Sequence, residues 1–367
     1  MIDLFKKVNP FNFLINMWFT QKEPISLVHF VTNRCNARCS FCFIDFDNED
    51  IFKNELSLDE INLLTKNLGK SIVNINFTGG EPFARKDLID IAECYCKNTS
   101  IQSIYITTNG SLPERVQYFA KTITRKYPHV TLSISISIDD LPKNHDRIRK
   151  IEGLFDKCIL TYNLIKKIKN VVPVVQVTVS DANFMNVKYI YKKLVNDYEI
   201  KSLKAIIVRD EGIYKTPNKK RIQILNSYKW ITNKIIQDSK NKIISNYDQS
   251  SAQGRLHYKK DTLMYNFISK YYLKPFYQSP CPAGKLFGII DAKGKIFACE
   301  ILEEDCIGDL RENNMNFMKI WNNQKNLKLR KFIKESKCHC SYECALAFNF
   351  TSNFRYQFSF LKSYFDF

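Results

Sequence analysis

Between residue 26 and about residue 210 the chain alternates six times between a short strand-like run and a helical window. The strand-like runs are Ser26–Thr32, Ile72–Phe77, Ile101–Thr107, Leu132–Ile138, Val172–Val179 and Leu203–Val208. The helical windows between them are about Ser57–Leu68, Lys86–Asn98, Pro113–Tyr127, Phe155–Ile168 and Met185–Tyr198. Ser57-Leu-Asp-Glu60 reads as a capping box, and Pro113 suits a first helical turn. Strict alternation of this kind predicts a parallel sheet with right-handed crossovers, because parallel neighbours need a long connection and a helix supplies it.

The faces of the strands constrain the sheet further. Leu132, Ile134, Ile136 and Ile138 share one face of the fourth strand, and Ser133, Ser135, Ser137 and Asp139 the other. Asn74, Asn76 and Thr78 repeat the polar face on the second strand, Tyr105, Thr107 and Asn109 on the third, and Gln176, Thr178 and Ser180 on the fifth. A parallel strand buried on both sides is apolar on both. A repeated polar face therefore predicts a curved sheet whose concave side lines a wet or ligand-filled cavity. The expected class is α/β, a partial (β/α)6 TIM-like barrel, short of the closed eight. Function is expected at the C-terminal strand ends. There the chain sets a cysteine loop after the first strand, Thr78-Gly79-Gly80-Glu81-Pro82 after the second, Thr108-Asn109-Gly110 after the third and Asp139-Asp140 after the fourth.

The cysteine loop holds Cys35, Cys39 and Cys42. Three thiolates in one loop can ligate three irons of a cubic 4Fe–4S cluster and leave the fourth iron open. A zinc loop or unpaired structural thiols are the alternatives; zinc usually takes a closed set of four ligands, and no fourth stands nearby. Five more cysteines lie in a later module that opens at Cys281-Pro-Ala-Gly284. There Leu286–Ile290 and Lys295–Cys299 flank Asp291-Ala-Lys-Gly294, a hairpin signal. Ile307-Gly-Asp-Leu310 and a single helix over about Met315–Glu335 follow, and the module ends in Cys338-His-Cys340-Ser-Tyr-Glu-Cys344. Cys281, Cys299, Cys338, Cys340 and Cys344 offer five thiols to a four-ligand site. Cys340 and Cys344 stand one helical turn apart, and the expected set is Cys281, Cys299, Cys340 and Cys344, with Cys338 as substitute. Cys94 and Cys96 fall inside a helical window and read as packing residues.

The organisation expected is an amphipathic lead-in over 1–25, with Phe5, Lys6, Lys7, Phe11, Trp18 and Phe19; the barrel over 26–210; and a Lys-, Asn- and Tyr-rich helical bridge over 211–280. A small α+β cluster-binding domain over 281–344 and an aromatic tail over 345–367, dense in Phe and Tyr up to Phe367, complete it. The twelve cysteines cluster at metal-site spacings, and no export signal is visible, which favours a reducing, cytoplasmic setting over disulfides. No apolar run reaches the ~18–20 residues of a membrane span. Net charge is +18, but the lysines are spread along helices rather than gathered in one arm, which argues against nucleic acid as the main partner. Contact of the lead-in or tail with a membrane surface is a secondary reading.

The cluster loop, Gly79-Gly80-Glu81-Pro82, Ser137-Ile-Asp139 and His145-Asp-Arg-Ile-Arg149 occur in the order seen in radical S-adenosylmethionine enzymes, which residues 26–210 closely resemble. Residues 281–344 resemble the auxiliary-cluster extension called SPASM or twitch. Cys281, Gly294 and Cys299 keep its opening spacing; the later cysteines depart from the seven-cysteine SPASM pattern, so the shorter twitch type fits better. The resemblance implies a 4Fe–4S cluster on Cys35, Cys39 and Cys42 with S-adenosyl-L-methionine on its open iron, and an auxiliary 4Fe–4S cluster. It also implies that Gly79, Gly80 and Glu81 hold the methionine amino group, that Ser137, Asp139 and Arg149 contact ribose or carboxylate, and that Phe41 packs near adenine. The reaction implied is reductive cleavage to a 5′-deoxyadenosyl radical, abstraction of a substrate hydrogen, and a redox modification, dehydrogenation or epimerisation, of a small or carrier-bound molecule. The partners are a small-molecule, glycan or peptide substrate and a reductant such as ferredoxin or flavodoxin. A maturase of ribosomally made peptides is the alternative, followed by an RNA-modifying enzyme and a non-enzymatic metal scaffold.

Overall fold

The computed structural model describes residues 9–210, 214–302 and 304–365, so Phe5, Lys6 and Lys7 of the expected lead-in and Phe367 of the tail lie outside it. All six expected strands form: β1 (Ser26–Thr32), β2 (Asn74–Gly79), β3 (Ser103–Thr108), β4 (Thr131–Ser137), β5 (Val171–Val179) and β6 (Leu203–Ile207). Each is parallel to its sequence neighbour, in the order expected of successive right-handed crossovers. The apolar face of β4, Leu132, Ile134 and Ile136, is fully buried under the helices. The opposite faces carry Asn74, Asn76, Tyr105, Thr107, Ser133, Gln176 and Thr178 into two cavities on the concave side. The alternation of strand faces thus produces the lined hollow it predicts.

Local signals explain most helix starts. Ser57 caps the helix Leu58–Lys66 through a complete capping box, with the Glu60 amide donating to Ser57 Oγ and the Ser57 amide to Glu60 Oε2. Pro113 takes the first turn of Pro113–Lys126. Two expectations need correction. A helix over Pro142–Arg149 precedes Leu154–Ile165 where the sequence reading placed no element, because its polar run carries no apolar stripe. The single helix expected over Met315–Glu335 is two, Phe317–Trp321 and Gln324–Glu335, because Asn323 caps the second by accepting from the Asn326 amide.

The C-terminal module continues the barrel sheet. β7 (Phe287–Ile290) pairs in parallel with β1, and β8 (Lys295–Phe297) and β9 (Gly308–Asp309) follow antiparallel, giving one nine-stranded sheet in the order β6-β5-β4-β3-β2-β1-β7-β8-β9. Asp291 shapes the β7–β8 turn by accepting from the Lys293 and Lys295 amides, and Gly294 supplies the left-handed residue at φ +91°. Residues 221–240 and 252–271 form two long helices, the second of which covers the concave side through Lys260, Asp261, Met264 and Tyr265. Two segments distant in sequence meet: Trp18 Nε1 donates to the Thr351 carbonyl, and the Phe19 ring centroid lies 5.3 Å from that of Phe354. No helix among the described residues is long and apolar enough to cross a membrane.

Candidate active site and a second cysteine site

The loop after β1 has no regular structure until Glu49, so its shape comes from outside. The Glu55 carboxylate accepts from Thr32 Oγ1 and the Asn33 amide, pinning the exit from β1. From the other side, the end of the helix Pro142–Arg149 accepts the Arg38 amide on the Arg149 carbonyl and the Ser40 amide on the Ile148 carbonyl. Asn109 Nδ2 donates to Asn36 Oδ1 at 2.8 Å, and Asn36 in turn donates to Ser111 Oγ. Arg149 Nη1 lies 3.8 Å from Cys39 Sγ, and its guanidinium sits 5.9 Å from the Phe41 ring centroid. Cys35, Cys39 and Cys42 are thereby held half-buried and facing one another electrostatically. Burial pushes the Cys35 thiol up to about 11, with Glu81, Cys39 and Cys42 adding to the rise, and it raises Cys39 and Cys42 as well. Such a set stays protonated alone and gives up its protons to a bound cation, which is the behaviour of a metal-cluster loop.

Gly79 and Gly80 are needed for close approach. A Cβ on Gly79 would lie 2.0 Å from the Thr32 carbonyl oxygen, and one on Gly80 2.2 Å from that of Arg34. The Gly80 amide donates to Thr32 and the Glu81 amide to Arg34, both at 2.8 Å, so this turn is spliced to the cysteine loop. Glu81 is fully buried, and its carboxylate accepts from Thr108 Oγ1, the Asn109 amide and the Phe83 amide. Burial nonetheless raises its pKa. Asp139 is equally buried: Oδ2 accepts from Arg149 Nε and Nη2 at 2.8 Å, and Oδ1 from the Thr178 amide at 3.0 Å. Asp139 thus anchors the guanidinium that touches Cys39. Ser137 ends β4, buried beside this pair.

Between the cysteine loop and the C-terminal module lies a cavity of about 430 Å³. Phe41 and Phe43 line one side, the concave residues Asn76, Thr78, Tyr105, Thr107, Gln176 and Thr178 its wall, and Glu300, Glu343 and Cys344 the other side. Arg209 spans that far side, 2.9 Å from Glu300 Oε2 and 2.8 Å from Glu343 Oε2, with its guanidinium 3.8 Å from the centroid of the Tyr342 ring. Burial opposes its charge, and the two carboxylates more than restore it.

All five late cysteines, Cys281, Cys299, Cys338, Cys340 and Cys344, line one adjoining pocket. Burial raises each thiol, Cys299 to about 11 and Cys340 to about 12. Cys340 lies ahead of the helix Glu343–Ser352 whose first turn holds Cys344, so the two do not share a helical turn as the spacing suggested. Cys344 faces both this pocket and the 430 Å³ cavity. Among the described residues no three of His, Cys, Asp and Glu are set to hold a single metal ion.

Several residues of the site carried no motif. Asn36 hides inside the cysteine spacing, and Glu300 and Glu343 each adjoin a cysteine, a proximity that could have flagged them. Arg209 and Glu55 gave no signal at all.

Residues 30–180 match the radical SAM superfamily. Fe-coproporphyrin III synthase of Methanosarcina barkeri is 33% identical over 142 residues, covering 38% of this chain and 33% of that protein. GTP 3′,8-cyclase of Clostridium perfringens is 31% identical over 150 residues, 39% of this chain and 43% of that one. The chain therefore spans less than half the length of these relatives. The fold extends further: anSMEcpe with bound AdoMet superposes over 94% of this chain and 92% of that one with a TM-score of 0.59 at 18% identity. Streptococcus suis SuiB bound to precursor peptide SuiA covers 85% and 67% with a TM-score of 0.57 at 15% identity. The matched stretch contains Cys35, Cys39 and Cys42, the Gly79-Gly80 turn, Asp139 and Arg149. Cys35, Cys39 and Cys42, carried by one loop and half-buried with raised thiols, are the residues that would hold a cluster there.

Proposed function

We propose that the chain removes a hydrogen atom from a small or carrier-bound molecule seated in the 430 Å³ cavity and completes a redox change there. Cys35, Cys39 and Cys42 would hold the 4Fe–4S cluster, which when bound would supply the electron for reductive carbon–sulfur cleavage of S-adenosylmethionine and so the hydrogen-abstracting chemistry. The observation that carries this reading is the reach of one cavity from Phe41 and Phe43 in the first cysteine loop to Cys344 in the second cysteine pocket. A substrate held there would lie beside Cys344, one of the residues proposed to hold a second cluster able to accept an electron.

The chain's own residues do the positioning. Backbone at Gly79, Gly80 and Glu81 is the candidate holder of the methionine amino group, and Phe41 of adenine. Ser137, Asp139 and Arg149 are the candidate contacts for the ribose or carboxylate. Asp139 and Arg149 keep the loop in place. Asn76, Thr107, Gln176 and Thr178 offer hydrogen bonds that orient a polar substrate. Cys281, Cys299, Cys340 and Cys344 are the proposed ligands of a twitch-type auxiliary 4Fe–4S cluster, with Cys338 the substitute. A peptide substrate is the second reading, favoured by the fold shared with SuiB bound to SuiA and with anSMEcpe bound to Cp18Cys peptide.

Anaerobically reconstituted protein with a strong reductant is expected to release 5′-deoxyadenosine from S-adenosylmethionine. It is expected to hold about eight irons per chain on the two-cubane reading. Replacing Cys35, Cys39 and Cys42 together by Ala is expected to abolish release and keep about half the iron. Undiminished release in that variant overturns the function. Loss of all iron overturns the second site, and single Ala variants at the five late cysteines, scored by iron content, identify its ligands.

A further inference from the structure

Midway down the concave face, Asn76, Tyr105, Lys204, Lys260 and Asp261 line both the upper cavity and a second one of about 610 Å³ below it. They form a polar floor between the two. Lys204 comes from β6 at the level of Gln176 on β5, and its ammonium stands 5.7 Å from the centroid of the Tyr105 ring across the hollow. Lys260 and Asp261 come from the covering helix Ala252–Tyr271.

The charges of this floor do not balance. Asp261 Oδ2 accepts from the Tyr247 hydroxyl at 2.9 Å, and Oδ1 is ion-paired with Lys260 Nζ at 3.1 Å without accepting a hydrogen bond. Lys204 faces the same carboxylate only at longer range and makes no hydrogen bond or ion pair with the described residues. His257, also at the lower cavity, is neutral, since burial pushes it down to about 4. Two ammonium groups therefore share one carboxylate, and one positive charge is left over. At the far rim the imbalance has the opposite sign, because Arg209 answers only one of Glu300 and Glu343. An anionic group entering this cavity is turned away from the rim and drawn to the floor. Lys204 is half-buried and stays an ammonium, because Asp261, Tyr105 and Glu343 outweigh its desolvation, so it offers an unused hydrogen-bond donor to whatever fills the cavity it lines.

We propose that Lys204 is the carboxylate anchor of the substrate site, so that the molecule acted on carries a carboxylate that accepts a hydrogen bond from its ammonium at the cavity floor. The single unbalanced charge selects a monoanion over a phosphate dianion. This rests on the cavity being the substrate site of the function proposed above.

The test is binding of hexanoate against hexanamide to the reconstituted full chain by isothermal titration, with and without saturating S-adenosylmethionine, alongside a capped Gly-Glu-Gly peptide and hexyl phosphate. Hexanoate is expected to bind at least about 10-fold tighter than hexanamide, the scale of one charge-assisted hydrogen bond. K204M is expected to erase that difference, K204R to keep part of it, and K201M, on the exposed Lys201 of the same edge, to leave it unchanged. Preference for the free acid over the capped peptide assigns a small-molecule acid, and the reverse assigns an acidic side chain. The proposal is overturned if the wild type binds hexanoate no tighter than hexanamide, or binds neither. It is equally overturned if the preference survives K204M or if hexyl phosphate binds tighter than hexanoate. None of these readings requires cleavage of S-adenosylmethionine, so failure here is separable from failure of the function.

Discussion

Gly80→Ala tests whether the Gly-Gly turn holds the cysteine loop by close packing. The added methyl would lie 2.2 Å from the Arg34 carbonyl oxygen, 2.5 Å from its carbon and 2.7 Å from the Asn33 oxygen, all backbone atoms without a rotamer to escape into. Ordinary contact begins at 3.4 Å, so the turn and the loop must part by about 1.2 Å. That opening breaks the Gly80–Thr32 and Glu81–Arg34 hydrogen bonds, both 2.8 Å long. Overpacking costs about 1–3 kcal/mol, and each lost backbone bond about 1 kcal/mol. The whole comes to ~3–5 kcal/mol, a fall in melting temperature of about 4–6 °C for a chain of this length. Scanning calorimetry measures that fall, and iron content after reconstitution reports the loop, where the variant should bind less than the wild type. Gly69→Ala is the matched control, since a Cβ there meets nothing within 4 Å and costs only the left-handed backbone penalty of about 1 kcal/mol. A G80A protein that melts with the wild type and takes up full iron refutes the splice.

Two further perturbations probe the frame of the site. Asp139→Ala strands the buried Arg149 guanidinium and should cost about 3–5 kcal/mol in urea unfolding, whereas the apolar pair D139L/R149M should recover most of the loss; equal instability of the two variants contradicts the ion-pair account. His29, bonded to the Tyr95 hydroxyl at 2.9 Å, is pushed by burial, with Arg85 adding, from 6.5 down to about 3. Its depressed pKa gives stability that is complete above about pH 6.5 and lost as pH falls from there toward 3, by about 1.4 kcal/mol per pH unit, because the unfolded chain takes up a proton the native state refuses. His29→Gln should flatten that acid limb by the same slope, and unchanged urea midpoints between pH 6.5 and 4.5 would falsify the assignment.

What the sequence disclosed depended on whether a signal was local. Alternating runs announced β1–β6, and period-two polarity on β2 to β5 announced the hollow before any side chain was placed. Ser57 and Glu60 announced their helix because a capping box is self-contained. The helix Pro142–Arg149 stayed hidden because Ile148 is its one apolar residue after Pro142, and it is held by the loop it clamps. The pairing of β7 with β1 stayed hidden too, since no residue in Phe287–Ile290 encodes a partner in Ser26–Thr32. Lys204 could be placed on the concave face by alternation alone. That it makes no hydrogen bond depends on how Lys260 and Tyr247 are placed around Asp261, and no local pattern reports that.

The pairing of β1 with β7 has a consequence for how the chain is made. Strand β1 ends at Thr32 and its outer neighbour is complete only at Ile290. At a ribosomal rate of 5–20 residues per second, the apolar edge of β1 waits about 13–50 s for its partner. Throughout that interval the nascent barrel presents Leu27, Val28 and Val31 beside an unpaired backbone, the kind of template that recruits a foreign strand. A chain cut short before residue 287 would keep that edge permanently, so the last quarter of the sequence serves as the barrel's seal against aggregation.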